Sequence, residues 1–271
     1  MSYKYLTVTS YDHVALVTFS HPPHNFMNVE ALAEVQHAFE TLNADDNCRA
    51  LVLASEGKVF CAGADFVTGL GEGLDLEQGL KIFYQHAMTL FDFEKPMIAA
   101  VQGAAVGAGF GLSLVADFRV SSAEATFSAN FTRLGIHPGF GMSVTLPRLI
   151  GVNAAEWLFY TGRRINGVEA QKLGLVNQLV ERENVVSEAI SLAQEIAQGA
   201  PGAVMETKAT MGAGLAADVR RANQREQDLQ IAQMKTSDFR EGVLASREKR
   251  APNFTGGETA IGFNESSCAG D

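Results

Sequence analysis

The stretch QGAAVGAGFGLSLVAD, Gln102 to Asp117, constrains this chain more than any other. It carries an apolar run, MIAAV, into small residues and then into a helical pattern. A continuous run of that kind suits a strand buried on both faces, and the glycines suit a close turn into a helix. A second run, ALVLAS at Ala50 to Ser55, leads into another small-residue turn, KVFCAGAD, Lys58 to Asp65. Between the two, LEQGLKIFYQHAMTLF has helical periodicity. Strand, helix, strand predicts parallel pairing with a crossover, and DFRVSS, Asp117 to Ser122, predicts a further strand. Both glycine turns then fall at the C-terminal edge of a parallel sheet, where open α/β sheets bind ligands. Small side chains leave backbone N–H groups accessible there, and a helix N-terminus adds positive partial charge. Two such turns side by side can hold a developing oxyanion.

The flanking residues predict a hairpin over YLTVTSYDHVALVTFS, with one solvated face and its turn at Tyr11-Asp12-His13. From Val29 to Leu42, Leu32, Val35, Phe39 and Leu42 recur at helical spacing behind an N-cap at Asn28. After about residue 140, periodic apolar residues predict helices, including a long stretch from Ala203 to Arg250. The residues from Pro252 onward, rich in Gly, Ser and Asn, read as a frayed tail. With 271 residues, 46% hydrophobic and 19% charged, the chain builds one domain, or one domain with a small appendage. A net charge of -10 argues against nucleic-acid binding. No apolar run reaches membrane-spanning length and MSYKYLTVTSYDH lacks the plan of a secretory signal, so a cytoplasmic protein with no membrane partner is expected. Cys48, Cys61 and Cys268 lack CxxC spacing, which argues against a disulfide framework and a zinc site, and no metal is expected.

Gly103, Gly107, Gly109 and Gly111 also admit a plainer role, the close packing of strand against helix. A dinucleotide turn fits poorly, because Gly107-Ala108-Gly109-Phe110-Gly111 lacks the GxGxxG spacing and no acidic residue ends a strand about 20 residues later. The GK[ST] of a phosphate-gripping loop is absent.

In order along the chain, KVFCAGADF, KPMIAAVQGAAVGAGFGLSLVADFRVSSAEATF, LGIHPGFG, LPRLIG, TGRRINGVEAQKLGLVNQLV and EGVLASREKRAPNF resemble the enoyl-CoA hydratase/isomerase family, the crotonase superfamily. The resemblance covers nearly the whole chain. It implies an α/β fold, a spiral core of ββα units over residues 1–200, and a C-terminal helical trimerisation region with a flexible tail over 201–271. A homotrimer or a dimer of trimers is implied, with no permanently bound cofactor. The implied partner is an acyl-CoA, whose coenzyme A thioester oxygen is held by two backbone N–H groups. Carried over residue by residue, those donors are Ala64 and Ala108, the second standing where the family often has glycine. The Ala62 carbonyl meets the adenine amino group. Lys58 either faces the nucleotide phosphates or stands as a solvated surface lysine, and His24 is a further candidate for the nucleotide. Asp65, Phe66 and Gly107 line the substrate beside the donors, and Asp65 is expected to cap a following helix.

The acids are where the pattern departs. Hydratases of the family add water with two glutamates, and the matching positions here are Gly111 and Phe131. An acid that some isomerases and dehalogenases place after LG matches Gly139. Each positioned acid or base typically contributes about 10²–10⁴-fold, so ordinary hydration is not expected. Phe131 and Phe140 make the acyl site drier and more apolar. Within NFTRLGIHPGFG only His137 titrates near neutrality, and it serves either as general base or as packing for its loop. Arg133 either binds a carboxylate on the acyl chain or lies exposed, and Asp117 and Glu124 read as structural. The expected function is that of an acyl-CoA-processing lyase or isomerase that stabilises a thioester enolate. Isomerisation, decarboxylation and carbon–carbon cleavage all fit. Two alternatives stay open: a non-catalytic acyl-CoA-binding protein, and a CoA-thioester hydrolase using His137.

Overall fold

The computed structural model describes residues 3–66 and 68–256. In chain order, β1 (Leu6–Tyr11) and β2 (Val14–Phe19) form the hairpin, followed by β3 (Phe26–Met27) and α1 (Val29–Asn43). Next come β4 (Ala50–Ser55), β5 (Val59–Cys61), β6 (Gly63–Ala64) and α2 (Leu76–Thr89). The second glycine turn joins β7 (Met97–Val101) and β8 (Ala104–Val106) to α3 (Ala108–Ser113). Then follow β9 (Phe118–Ser121), β10 (Thr126–Ser128), α4 (Met142–Ile150), α5 (Val152–Thr161), β11 (Arg164–Asn166), α6 (Gly167–Lys172) and β12 (Gln178–Leu179). Four helices end the described chain: α7 (Val185–Ala197), α8 (Pro201–Met211), α9 (Leu215–Gln233) and α10 (Ser237–Glu248).

The strands alternate between two sheets. One has the order β1-β2-β4-β7-β9-β12, the other β11-β10-β8-β5, and β3 pairs with β6 apart from both. β4, β7 and β9 enter the first sheet while β5, β8 and β10 enter the second, so successive units each give one strand to each sheet. This is the expected ββα spiral. β4, β7 and β9 pair in parallel, as the strand, helix, strand reading requires.

The first sheet is buried on both faces, which explains why its strands read as continuous apolar runs. Val52, Ala54, Ile98, Ala100 and Val120 meet a stripe of α7 formed by Val185, Ala189, Ala193 and Ala197. Their neighbours Leu51, Leu53, Met97, Ala99 and Val101 point the other way, into the main core with Leu32, Val35 and Phe39 of α1 and Leu80 and Phe83 of α2. The hairpin differs from expectation. β2 is an interior strand buried on both faces, and only β1, paired on one side alone, is left in solvent. Asn28 caps α1 as expected, accepting from the Ala31 N–H.

The C-terminal part also departs from its apolar reading. α8 buries no side chain within the chain, and the buried positions of α9 are Val219, Asn223, Glu226 and Gln230, three of them polar. The tail from Pro252 is pinned as far as it is described: Glu241 accepts from the Asn253 N–H, and Asp238 from those of Thr255 and Gly256. The rest of the tail, with Cys268, lies outside the described residues. Cys48 and Cys61 are buried free thiols. No helix among the described residues is long and apolar enough to cross a membrane. Asp117 is structural, as read, accepting from the Met97 N–H and the Lys208 ammonium, and Glu124 is exposed.

Arg119 is the largest side chain in the interior and the main polar tie between α3 and the chain that follows it. Its guanidinium donates to the carbonyls of Leu175, Ser113, Ala116 and Asp117 at 2.6 to 3.2 Å. Burial pulls its pKa down to about 10, with Asp117 opposing, so it stays charged at neutral pH. Truncation would leave those carbonyls without a donor. Arg119→Met is expected to lower unfolding stability by about 3–5 kcal/mol in urea titrations, with Arg119→Lys recovering part of it.

Candidate active site

The two glycine turns meet edge to edge. A Cβ at Gly63 would lie 2.8 Å from the Val106 carbonyl oxygen and 3.6 Å from the Ala108 nitrogen, and one at Gly109 would collide with the Cys61 carbonyl. The packing role of these glycines therefore holds, and it is what brings the two candidate donors together. Ala108 is the first residue of α3, where a helical N–H has no intrahelical acceptor. Asp65 N–H bonds the Met27 carbonyl, which ties the residue after Ala64 to β3. Gly107 supplies the bend between them, with φ 53° and ψ −120°. Burial raises the pKa of the adjoining Cys61 thiol to about 12, which keeps it protonated.

The outer part of the candidate site is more open. Ala62 donates to the His24 carbonyl, and His24 itself is exposed with its ring edge-on to Phe26. Lys58 is exposed, and its carbonyl accepts from Arg182 at 2.6 Å. Phe66 packs edge-on against Phe239 of α10, which lays the last helix over the first turn. Asp65 does not cap a helix. Its carboxylate accepts from the Thr68 N–H within the turn, and the next helix, α2, is capped by Asp75 in a capping box with Gln78. Arg133 is exposed and donates to the Thr161 carbonyl at the end of α5.

At two of the three positions where the resemblance leads to an acid, Gly111 and Gly139, there is no space for a side chain. A Cβ at Gly111 would stand 2.7 Å from Cβ and Cγ of Phe140. Phe140 is fully buried in the left-handed region (φ 64°), a backbone state that costs a bulky residue of order 1–3 kcal/mol. At Gly139 a Cβ would collide with the Tyr84 hydroxyl. That hydroxyl donates to Gln230 and accepts from the Phe140 N–H, and burial drives its pKa upward. Phe131 stands at the third acid position, buried, with its ring tip about a van der Waals contact from the Cβ position of Gly107.

α9 holds this loop in place, and its part was not legible from apolar periodicity. Gln233 accepts from the His137 N–H, Gln230 donates to the His137 carbonyl, and the Glu226 carboxylate accepts from the N–H groups of Gly141 and Ser143. Glu226 thereby caps α4 from a neighbouring helix, since Gly141 has no side chain to do so. The recurrence of Asn223, Glu226, Gln230 and Gln233 at spacings of three and four is the signal that marks this face. The His137 imidazole is turned onto its own loop, with Nδ1 2.6 Å from the Pro138 carbonyl. Burial lowers its pKa below the ordinary 6.5, and Arg225 on α9 adds to the lowering. Among the described residues, no group of three or more His, Cys, Asp or Glu is placed to hold a metal ion. Two open surface depressions, beside Trp157 and Tyr160 and beside His13 and Arg49, lie on other elements than the glycine turns.

A two-sheet ββα spiral with paired glycine turns and a helical C-terminal part defines a crotonase-type protein. The chain belongs to the enoyl-CoA hydratase/isomerase family, whose sequence model matches residues 9–257. It is 35% identical over 259 residues to a crotonyl-CoA hydratase of Syntrophomonas wolfei, covering 94% of this chain and 99% of that one. The mouse enoyl-CoA hydratase domain-containing protein 2, mitochondrial, is 38% identical over 234 residues, covering 83% of this chain and 78% of its own. A crystal structure of an enoyl-CoA hydratase/isomerase from Pseudoalteromonas atlantica superposes with a TM-score of 0.82 at 31% identity, over 93% of this chain and 100% of that one.

Two outcomes follow from this geometry. Gly111→Glu alone is expected to lower stability by about 3 kcal/mol or more in urea titrations, because its first carbon already overlaps Phe140. His137 is neutral in the fold, so its contribution to stability is present above pH 6.5 and lost as pH falls through its lowered pKa. Melting temperature is therefore expected to fall between about pH 7 and 5 in the parent, with a shallower slope in His137→Gln.

Proposed function

We propose that the protein binds an acyl-CoA thioester and stabilises its enolate through the backbone N–H groups of Ala64 and Ala108. The observation that supports this reading is the contact between the two turns, with Gly63, the neighbour of Ala64, against Val106 and against the Ala108 nitrogen that starts α3. Removing one donor of such a pair costs about 2.7–4 kcal/mol in transition-state energy. Coenzyme A enters only as part of the substrate, with the Ala62 carbonyl and Lys58 toward its nucleotide, Asp65, Phe66 and Gly107 beside the donors, and Phe131 and Phe140 toward its acyl chain.

Ordinary hydration is not the proposed reaction, although relatives carry the name of hydratases. Water addition needs both a base for water and an acid for the α-carbon. Of the two positions that the resemblance gives to those groups, Gly111 has no room beside Phe140 and Phe131 carries an apolar ring. The reading that fits is a lyase or isomerase step whose proton demand is small, with decarboxylation, isomerisation and carbon–carbon cleavage in that class. A second reading, an acyl-CoA binder without turnover, is favoured by the same filled positions. His137, with Nδ1 on the Pro138 carbonyl, is the one group of NFTRLGIHPGFG that titrates near neutrality and serves as the acid or base where the reaction needs one. The absence of buried side chains on α8 supports a homotrimer or dimer of trimers built through the C-terminal helices.

The decisive substitution is Ala108→Pro. Proline suits the first position of a helix, so the helix start is kept while the ring Cδ replaces the N–H, which removes the donor and fills the place of the thioester oxygen. Turnover across a panel of enoyl-, 3-hydroxyacyl- and malonyl-type CoA esters, followed by mass, is expected to fall roughly 10²–10³-fold with the melting temperature retained. Crotonyl-CoA hydration by the parent at a rate comparable to its hydratase relatives would reject the reading of the missing acids. Binding of CoA esters with no product from any of them would favour the binder.

A further inference from the structure

Beside the second glycine turn stands a polar side chain, Asn130, whose amide oxygen is buried. Asn130 opens the 3-10 turn Asn130–Leu134, two residues beyond Ser128, whose carbonyl receives the Gly107 N–H at 2.9 Å. Its Oδ1 lies 3.4 Å from where a Cβ on Gly107 would stand, beside the ring of Phe131. That oxygen is buried and has no hydrogen-bond donor among the described residues. A buried acceptor left unpaired costs free energy, and native proteins keep few of them. Its turn is not free to swing away, because Leu134 and Gly135 are pressed against Gly242 and Asp238 of α10.

We infer that Asn130 reads the acyl group, its Oδ1 accepting a hydrogen bond from a hydroxyl on one of the first two carbons beyond the thioester carbonyl. The inference rests on the CoA-thioester reading, which pins the thioester oxygen at Ala108, next to Gly107. From there an acceptor beside Gly107 reaches substituents near the thioester rather than the far end of the chain. Phe131 and Phe140 supply no competing polar group. Saturated and enoyl chains carry no donor at those carbons, whereas 2-hydroxy- and 3-hydroxyacyl groups do. Asn130 is thus a specificity-determining residue for a hydroxyacyl thioester.

The test is equilibrium titration of the full chain with free CoA, butyryl-CoA, 2-hydroxybutyryl-CoA and 3-hydroxybutyryl-CoA, using the parent, Asn130→Ala and Asn130→Leu. One hydrogen bond from a ligand hydroxyl corresponds to roughly a tenfold difference in affinity. The parent is expected to bind one hydroxyacyl ester about tenfold tighter than butyryl-CoA. In both variants that ratio should collapse to within about twofold, with butyryl-CoA and free CoA bound as before. Melting temperature should hold in the variants, because no partner within the protein is lost. Equal binding of all three esters by the parent, or a ratio that survives both substitutions, would overturn the inference while leaving the CoA reading intact. A fall in melting temperature with parallel weakening of every ligand would overturn it in favour of a structural role. No binding of any ester or of CoA would overturn the CoA reading, and this inference with it.

Discussion

The proposed oxyanion site depends on a close approach of two backbone turns at positions where only glycine fits. Gly63 rests on the Val106 carbonyl and Gly109 on the Cys61 carbonyl, so strands of two successive units end against each other with only hydrogen atoms between them. A methyl group at Gly109 would force the turns apart and separate the N–H groups of Ala64 and Ala108. Because the candidate donors are main-chain groups, the residue types that carry them matter less than the spacing behind them. Alanine at 108 in place of the family's frequent glycine is compatible with that logic, since its N–H and its place at the start of α3 are unchanged.

The loop opposite the turns is fixed by a different kind of force. α9 presents Glu226, Gln230 and Gln233 to main-chain groups of residues 137 to 143, and these bonds are directional where apolar burial is not. Burial raises the Glu226 pKa, while its bonds to Ser143 and Gly141 oppose that rise. Such a seam adds little net stability compared with an apolar one of the same shape, but it sets the register of the loop to within a hydrogen bond's tolerance. Register is what matters here, since a small shift of Phe140 would reopen the space over Gly111.

Much of this was legible in the sequence. ALVLAS and MIAAV announced strands buried on both faces, and their small-residue endings announced the turns, because a two-sided environment and a close approach both restrict residue type strongly. The helix behind Asn28 followed from apolar spacing and a cap. What escaped were features whose residues are polar and buried: Arg119, the α9 seam and Asn130. Charge and amide side chains normally mark solvent, and only the partner across space shows why they lie inside. The expected helix cap at Asp65 failed for a related reason, as its local bond to Thr68 is satisfied in a turn and needs no helix. The resemblance leads to acids at Gly111 and Gly139, and the rings that occupy their space come from Phe140 and from Tyr84, each far along the chain from the glycine it meets.

Those two ring and glycine pairs also constrain how such a chain can change over generations. A carboxylate at 111 is admissible only once Phe140 has been cut back, and cutting back Phe140 first empties a fully buried position. Truncation of a buried phenylalanine costs about 3–5 kcal/mol, a large share of the 5–15 kcal/mol that typically separates a folded chain from an unfolded one. Either order of single substitutions therefore passes through a weakened intermediate, and Tyr84 with Gly139 poses the same problem a second time. Packing alone therefore resists a carboxylate at either position for as long as the two rings keep their places.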